Sequence, residues 1–158
     1  MPIQPESEET SIILKKIHHY CSYQERCISE VEQKLKDLAV QRGKIPGIIN
    51  QLQKEGYLDE ERFAKAFAGG KFRLNKWGRH KIEFEMKIRG IPELMIQEGM
   101  IEIDETEYLQ TLRELMTHKF NEIKSDKNVN IREKILNFAY GKGYEMELIL
   151  GLIKEMKI

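Results

Sequence analysis

The sequence predicts an all-α protein built from tandem three-helix repeats that form an elongated, curved array. Three observations predict it. Apolar residues recur at helical spacing almost from end to end. Only four Pro and eleven Gly interrupt the 158 residues, which favours helix over a loop-rich β fold. One pattern also returns at an offset of 53: KIEFEMKIRGIPELMIQEGM at 81–100 aligns with KILNFAYGKGYEMELILGLI at 134–153. Lys81 and Ile82 meet Lys134 and Ile135, Arg89 and Gly90 meet Lys142 and Gly143, and Ile91 meets Tyr144. Each copy reads as helix, basic residue, Gly, large apolar residue, helix.

The elements follow in order. Residues 11–22 carry Ile13, Leu14, Ile17 and Tyr20 or Cys21 on one face, and 25–40 carry Cys27, Ile28, Val31, Leu35, Leu38 and Ala39. Residues 45–57 carry Ile45, Ile48, Ile49, Leu52 and Tyr57, with Pro46 in the first turn and Gly56 as the stop. Asp59 caps a helix whose apolar side holds Phe63, Ala66, Phe67 and Leu74. After Trp77 and Gly78 comes a helix with Ile82, Met86 and Ile88, ended by Gly90. Ile91 and Pro92 start another, with Leu94, Met95 and Met100. Asp104 caps a long helix containing Tyr108, Leu112, Met116 and Phe120, which the polar run SDKNVN ends. Helices over 131–140 and 144–157 finish the chain. Val31 and Leu35 fall in the places of Ile82 and Met86, so the first segment fits the repeat more loosely. The expected division is a disordered acidic tail at 1–10 and three units at 11–57, 58–103 and 104–158. Units of about fifty residues have small cores and lean on their neighbours.

Composition excludes several classes. Apolar residues are 41% and charged residues 33%, with no apolar run long enough for a membrane span or an export signal. Cys21 and Cys27 are six apart on helix-like sequence, so their side chains do not share a face and no disulfide is expected, which fits a reducing cytoplasm. His18, His19 and Cys21 lack a second ligand pair at zinc spacing, so no metal or other cofactor is expected. No phosphate-binding GxxxxGK[ST], G-x-S-x-G or HExxH occurs, and none of the four His has a carboxylate and nucleophile at known spacing. The reading is non-enzymatic.

Charge is divided instead of balanced. Residues 71–90 hold seven Lys or Arg against two Glu, a local charge of +5, and 92–107 hold five Glu and one Asp without a cation, −6. The whole chain sums to zero. Arg79, His80 and Lys81 fall in the first turn of their helix, where cations oppose the helix dipole at about 0.3–1 kcal/mol each. That placement suggests an anionic partner. The candidate contact residues are Lys71, Arg73, Lys76, Arg79, His80, Lys81, Lys87 and Arg89. Trp77, between the basic groups, reads as a packing residue at a helix junction more than as a base-stacking platform. The outer units are less basic: Arg26 stands alone in SYQERCISEVEQK, and Lys142 alone precedes its Gly.

The block Gly56, Tyr57, Leu58, Asp59, Glu60, Glu61, Arg62, Phe63, Ala64, followed by Phe67, Lys71, Arg73, Lys76, Trp77, Gly78, Lys81, Ile82, Met86, Arg89, Gly90 and Ile91, resembles the signature of the bacterial RecX regulatory proteins. The resemblance is strong over roughly 45–100 and extends to the remainder as the three-unit plan. It implies tandem three-helix repeats and a cytoplasmic, non-enzymatic regulator of DNA repair, recombination and the SOS response. It implies binding along the RecA filament, within its helical groove, with inhibition of strand exchange, ATP hydrolysis and filament growth; an open array with an exposed repeat face is expected to work as a monomer. Contact with single- or double-stranded DNA, direct or through RecA, is a further expectation. The runner-up is a helical nucleic-acid-binding protein that acts without RecA, and a third is a helical scaffold for some other protein.

Overall fold

The computed structural model describes residues 8–158. Among the described residues there are nine α-helices, one short 3-10 turn at Arg42–Lys44 and no strand. The helices are α1 (Glu8–Tyr23), α2 (Ile28–Asp37), α3 (Ile45–Lys54), α4 (Glu60–Asn75), α5 (Arg79–Ile88), α6 (Glu93–Met100), α7 (Glu105–Ile123), α8 (Ile131–Gly141) and α9 (Met146–Met156). Glu8–Thr10 are already helical, although the sequence assigned them to the tail; the rest of that tail lies outside the described residues.

Local chemistry sets the ends. Asp59, Asp104 and Asn130 accept hydrogen bonds from the backbone N–H three residues on, at 3.0, 2.9 and 3.1 Å, which fixes the starts of α4, α7 and α8. α2 starts three residues later than expected because Cys27 is its N-cap: the Cys27 N–H donates to Glu30 Oε1 at 3.3 Å and its thiol to the same oxygen at 3.1 Å. Cys27 is therefore not a helical residue. It is fully buried and free, Cys21 is largely buried and free, and burial pushes both thiols above their ordinary pKa.

The repeat is visible in the backbone. After the second helix of each trio the chain turns through positive φ, at Ala39 (60°), Gly90 (75°) and Gly143 (101°). The next N–H then reaches back to the carbonyl five residues earlier: Val40 to Leu35, Ile91 to Met86, Tyr144 to Ala139. The paired core positions Val31 and Leu35, Ile82 and Met86, and Ile135 and Ala139 are all completely buried. Ala39 and Ala66, also assigned to apolar faces, are exposed, and so are three large residues: Leu74, Ile88 and Leu94. Each of these three lies two positions from a buried residue (Phe72, Met86, Ile96), hence about 200° around its helix and on the solvent side.

The cores are unequal. Ile17, Cys21, Val31, Leu35, Ile45, Ile48, Ile49, Leu52 and Leu58 form one cluster. A second, continuous cluster runs from Phe63 on α4 to Ile153 on α9, and Cys27 is the one buried residue of the first trio that joins it. α4–α6 and α7–α9 thus share a core, while α1–α3 have their own. Within the middle trio α4 and α6 touch closely: a Cβ on Gly99 would sit 2.6 Å from the Ala64 carbonyl oxygen.

The joint between the first and second trios is polar. Glu60 Oε2 accepts from the Ile28 N–H at 3.3 Å, Ser29 Oγ donates to the Arg89 carbonyl at 2.9 Å, and Arg62 pairs with Glu25 at 2.6 Å. Among the described residues Glu60 is the one buried charged residue, and burial raises its carboxyl pKa against the opposing pull of the Ile28 N–H. A carboxyl raised in the folded state adds stability below its unfolded pKa and loses it as pH rises through the folded pKa. At pH 7 the ionised Glu60 therefore weighs against folding. Glu60→Gln keeps an oxygen for Ile28 and removes the charge. Urea unfolding should find Glu60→Gln the more stable at pH 7, with the gap closing as pH falls through the folded-state pKa; a less stable variant at pH 7 would contradict this account.

Candidate functional site

The basic stretch folds into the second trio and its joint with the third, and the structure divides its eight candidate residues. α4 places Phe67 and Lys71 one turn apart, and α5 places Lys81, Glu85 and Arg89 on one stripe. Trp77 lies between the helices, half-buried and edge-on to Phe67 with ring centroids 6.4 Å apart. Lys71 Nζ and Lys81 Nζ stand 4.9 and 4.6 Å from the Trp77 ring, and the Arg89 guanidinium stands 4.9 Å from Phe67. Arg89 is also held by Glu85 at 2.9 Å. Lys71, Lys81 and Arg89 therefore gather on one aromatic strip. Trp77 packs edge-on to Phe67 and bears two cations at once.

The other candidates point elsewhere. Arg73 and Lys76 line a groove opposite Glu107 and Glu114 of α7, so their charge is partly answered within the protein. Lys76 ends α4 in the left-handed conformation, φ 56°. Lys87 lies beside Glu83 at 3.2 Å and Glu93 at 3.9 Å. The His80 side chain is exposed while its N–H donates to the Gly143 carbonyl at 2.9 Å.

Arg79 is taken into the joint between the second and third trios. Its guanidinium pairs with Glu105 and, at 2.8 Å, with Glu145, and it lies 3.8 Å over the Tyr108 ring. Its N–H donates to the Tyr108 hydroxyl at 3.0 Å, and that hydroxyl donates to Glu145. Burial, then the bond to Glu145, holds the Tyr108 phenol far above its ordinary pKa. The unfavourable cation in the first turn of α5 thus has a partner inside the molecule. So does part of the acidic run: Asp104 caps α7, Glu105 meets Arg79 and Glu93 meets Lys87.

The signature residues are structural. Leu58, Phe63, Ile82 and Ile91 are buried, Asp59 caps α4, and Arg62 meets Glu25. Tyr57 stacks on His18 at 4.3 Å, Gly78 sits against Gly143, and Gly90 supplies its positive φ. Nothing in the described residues groups three metal-binding side chains, and no described helix is long and apolar enough to cross a membrane.

The sequence reading missed that every trio carries a ring bracketed by two cations. Beside Trp77 with Lys71 and Lys81, these are Tyr20 with Arg26 (3.8 Å) and Lys34 (5.4 Å), and Phe138 with Lys119 (5.3 Å) and Lys142 (6.0 Å). Their members are scattered in sequence, so no local charge run announces them.

Comparison with known proteins adds the following. Residues 59–100 match the family model described as RecX, second three-helix domain. The chain is 29% identical over 132 residues to the Regulatory protein RecX of Clostridium acetobutylicum, covering 80% of this chain and 60% of that one. It is 26% identical over 142 residues to the Regulatory protein RecX of Lactobacillus johnsonii, covering 90% and 52%. The chain thus spans about half to three-fifths of the length of these relatives. The crystal structure of RecX from Lactobacillus salivarius superposes with a TM-score of 0.80 at 23% identity, over 95% of this chain and 97% of that one. A second crystal structure, of regulatory protein RecX, gives 0.82 at 16% identity over 93% and 74%. These likenesses establish the helical-repeat fold.

Proposed function

The chain is a RecX family protein, and on that premise we propose that it is a cytoplasmic, non-enzymatic regulator that binds the RecA–DNA filament and restrains RecA recombination and ATP hydrolysis. The observation that carries the reading is the strip of Lys71, Trp77, Lys81, Arg89 and Phe67. It lies within the segment matched by the family model, and it offers cations on aromatic faces at half-buried positions. Cations held this way lose less side-chain freedom on meeting an anionic surface, whether acidic protein or DNA backbone. Three brackets on a repeating chain suit a repeating lattice, where weak contacts add up to high apparent affinity. A monomer laid across neighbouring RecA subunits would obstruct incoming duplex and the subunit motion coupled to hydrolysis. The three units at 11–57, 58–103 and 104–158 are proposed as its modules.

The test is ATP hydrolysis by preformed RecA filaments on single-stranded DNA. The parent protein should slow hydrolysis, and Lys71→Glu/Lys81→Glu should need about tenfold more protein for the same effect. Absence of inhibition at every ratio refutes the function. Full inhibition by the double variant removes the strip from it.

A further inference from the structure

The middle trio carries two apolar stripes that its own packing does not use. The exposed residues of α5 are His80, Phe84, Lys87 and Ile88. Phe84 is 61% and Ile88 63% exposed, and with His80 they recur every four residues along one face. No exposed residue of α5 is acidic: Glu83 and Glu85 are half-buried and paired with Lys87 and Arg89. On α6 and the turn after it the exposed residues are Glu93, Leu94, Gln97, Glu98, Ile101 and Glu102, and none is a cation. Leu94 is 82% and Ile101 75% exposed, and with Glu98 they fall at i, i+4 and i+7, again on one face. Glu98 and Glu102 form no ion pair with a described residue, and Lys65, a cation near them, is paired with Glu61 at 3.2 Å.

The repeat shows that the trio does not need these side chains. At the offset of 53, Phe84, Ile88, Leu94 and Ile101 correspond to Asn137, Gly141, Glu147 and Lys154. The third unit builds the same pair of helices with polar residues or Gly at those places. Large apolar side chains held in water add nothing to the fold, and apolar surface rimmed by charge marks a contact site. What fits them is on the same trio. One stripe is apolar and basic, the other apolar and acidic, so each supplies what the other lacks. Both face solvent, so they cannot cover each other within one chain, but they can between two. The net charge of zero leaves no long-range repulsion between copies. A basic helix of another protein would cover α6 and leave α5 bare, and an anionic surface would leave Phe84 and Ile88 in water.

We propose that a second copy of this chain docks here, with Phe84 and Ile88 on α5 of one copy against Leu94 and Ile101 of the next. Glu98 and Glu102 then turn toward His80 and Lys87 of the facing helix. The contact joins two different patches, so it is heterologous and leaves one free stripe at each end of a pair. Two short helices make an interface of the small, transient class, under about 1,200 Å². The chain is therefore single when dilute and associates when concentrated. The contact rests on neither the filament reading nor the central strip, so it is tested without any recombinase.

The experiment is sedimentation equilibrium of the whole chain from micromolar to submillimolar concentration. The mean mass of the parent should rise with concentration and pass that of two chains. Phe84→Gln/Ile88→Gln and Leu94→Gln/Ile101→Gln should each weaken self-association about tenfold or more. An equimolar mixture of the two variants should associate again but halt at two chains, because one intact α5 stripe meets one intact α6 stripe and the other two are spoiled. All four positions are exposed, so thermal unfolding of the variants should match the parent and separate a lost contact from a lost fold. The proposal is overturned if the parent keeps the mass of one chain throughout, if both variants associate as the parent does, or if their mixture stays single. A parent that stays single while both variants lose their hold on RecA filaments gives the stripes to that partner and overturns it as well.

Discussion

Gly78→Ala should lower the stability of the protein by about 3 kcal/mol and its midpoint of thermal unfolding by roughly 6–12 °C. A Cβ at this position would fall 2.2 Å from the Gly143 carbonyl carbon, 2.3 Å from the Tyr144 nitrogen and 2.4 Å from the Gly143 oxygen. All three are backbone atoms, which no rotamer change can withdraw. The same contact carries two backbone hydrogen bonds, Gly78 N–H to the Lys142 carbonyl at 2.8 Å and His80 N–H to the Gly143 carbonyl at 2.9 Å. Parting the segments enough to admit a methyl group costs both bonds, about 1 kcal/mol each, besides the strain. From the other side, a Cβ on Gly143 would meet Lys81 Cβ at 2.4 Å, at a φ of 101° that side chains rarely adopt. Gly70 on α4 and Gly151 on α9 have nothing within 4 Å of an added Cβ. Gly70→Ala and Gly151→Ala should therefore be neutral or stabilising by up to about 1 kcal/mol, since Ala suits a helix better than Gly. Chemical denaturation of the three variants decides the matter; an unchanged midpoint for Gly78→Ala would show that the two trios do not depend on this approach.

Tyr144→Ala should cost about 3–5 kcal/mol, the range for emptying a large aromatic site in a core. Tyr144 is completely buried, stacks on equally buried Tyr108 with centroids 5.0 Å apart, and donates its hydroxyl to the Lys76 carbonyl at 2.9 Å. Burial holds its phenol well above the ordinary pKa, so it remains a donor at any working pH. Tyr144→Phe separates the two contributions. It keeps the ring pair and leaves the Lys76 carbonyl without its partner, for about 1–2 kcal/mol. Denaturant unfolding should rank parent, Phe and Ala in that order. If Phe and Ala cost the same, the hydroxyl and not the packing would be holding the joint.

The helices were legible because the residues that define them act locally. Asp59 and Asp104 mark starts by capping the N–H three residues on, and Gly56, Gly90 and Gly143 mark stops by their φ. Ala39 hid the first repeat because it takes φ 60° without being Gly, and Cys27 hid a helix start because a thiol is a poor sign of a cap. The basic stretch was legible as charge but not as a surface. A helix turns about 100° per residue, so Arg73 and Lys76 face α7 while Lys71 and Lys81 meet on Trp77. Arg79 finds Glu145 across 66 positions of sequence, and no local pattern encodes that pairing. Arg26 and Lys34 meet on the Tyr20 ring from separate segments, so no local charge run encodes that bracket either.

The two joints also leave the sequence different freedom to drift. Between the first and second trios every contact described runs through a side chain: Glu60 to Ile28, Ser29 to Arg89, Arg62 to Glu25. Arg62 and Glu25 are both side chains, so a loss on one side of that pair can be answered by a gain on the other, while Glu60 and Ser29 meet backbone groups that almost any residue at 28 and 89 supplies. Between the second and third trios Gly78 and Gly143 meet backbone to backbone. No side chain exists there to be exchanged, so a change at either glycine has no partner that could repair it. Inherited variation can exchange the side chains of either joint, Arg79 and Glu145 included, but the glycine contact of the second it can only keep or lose.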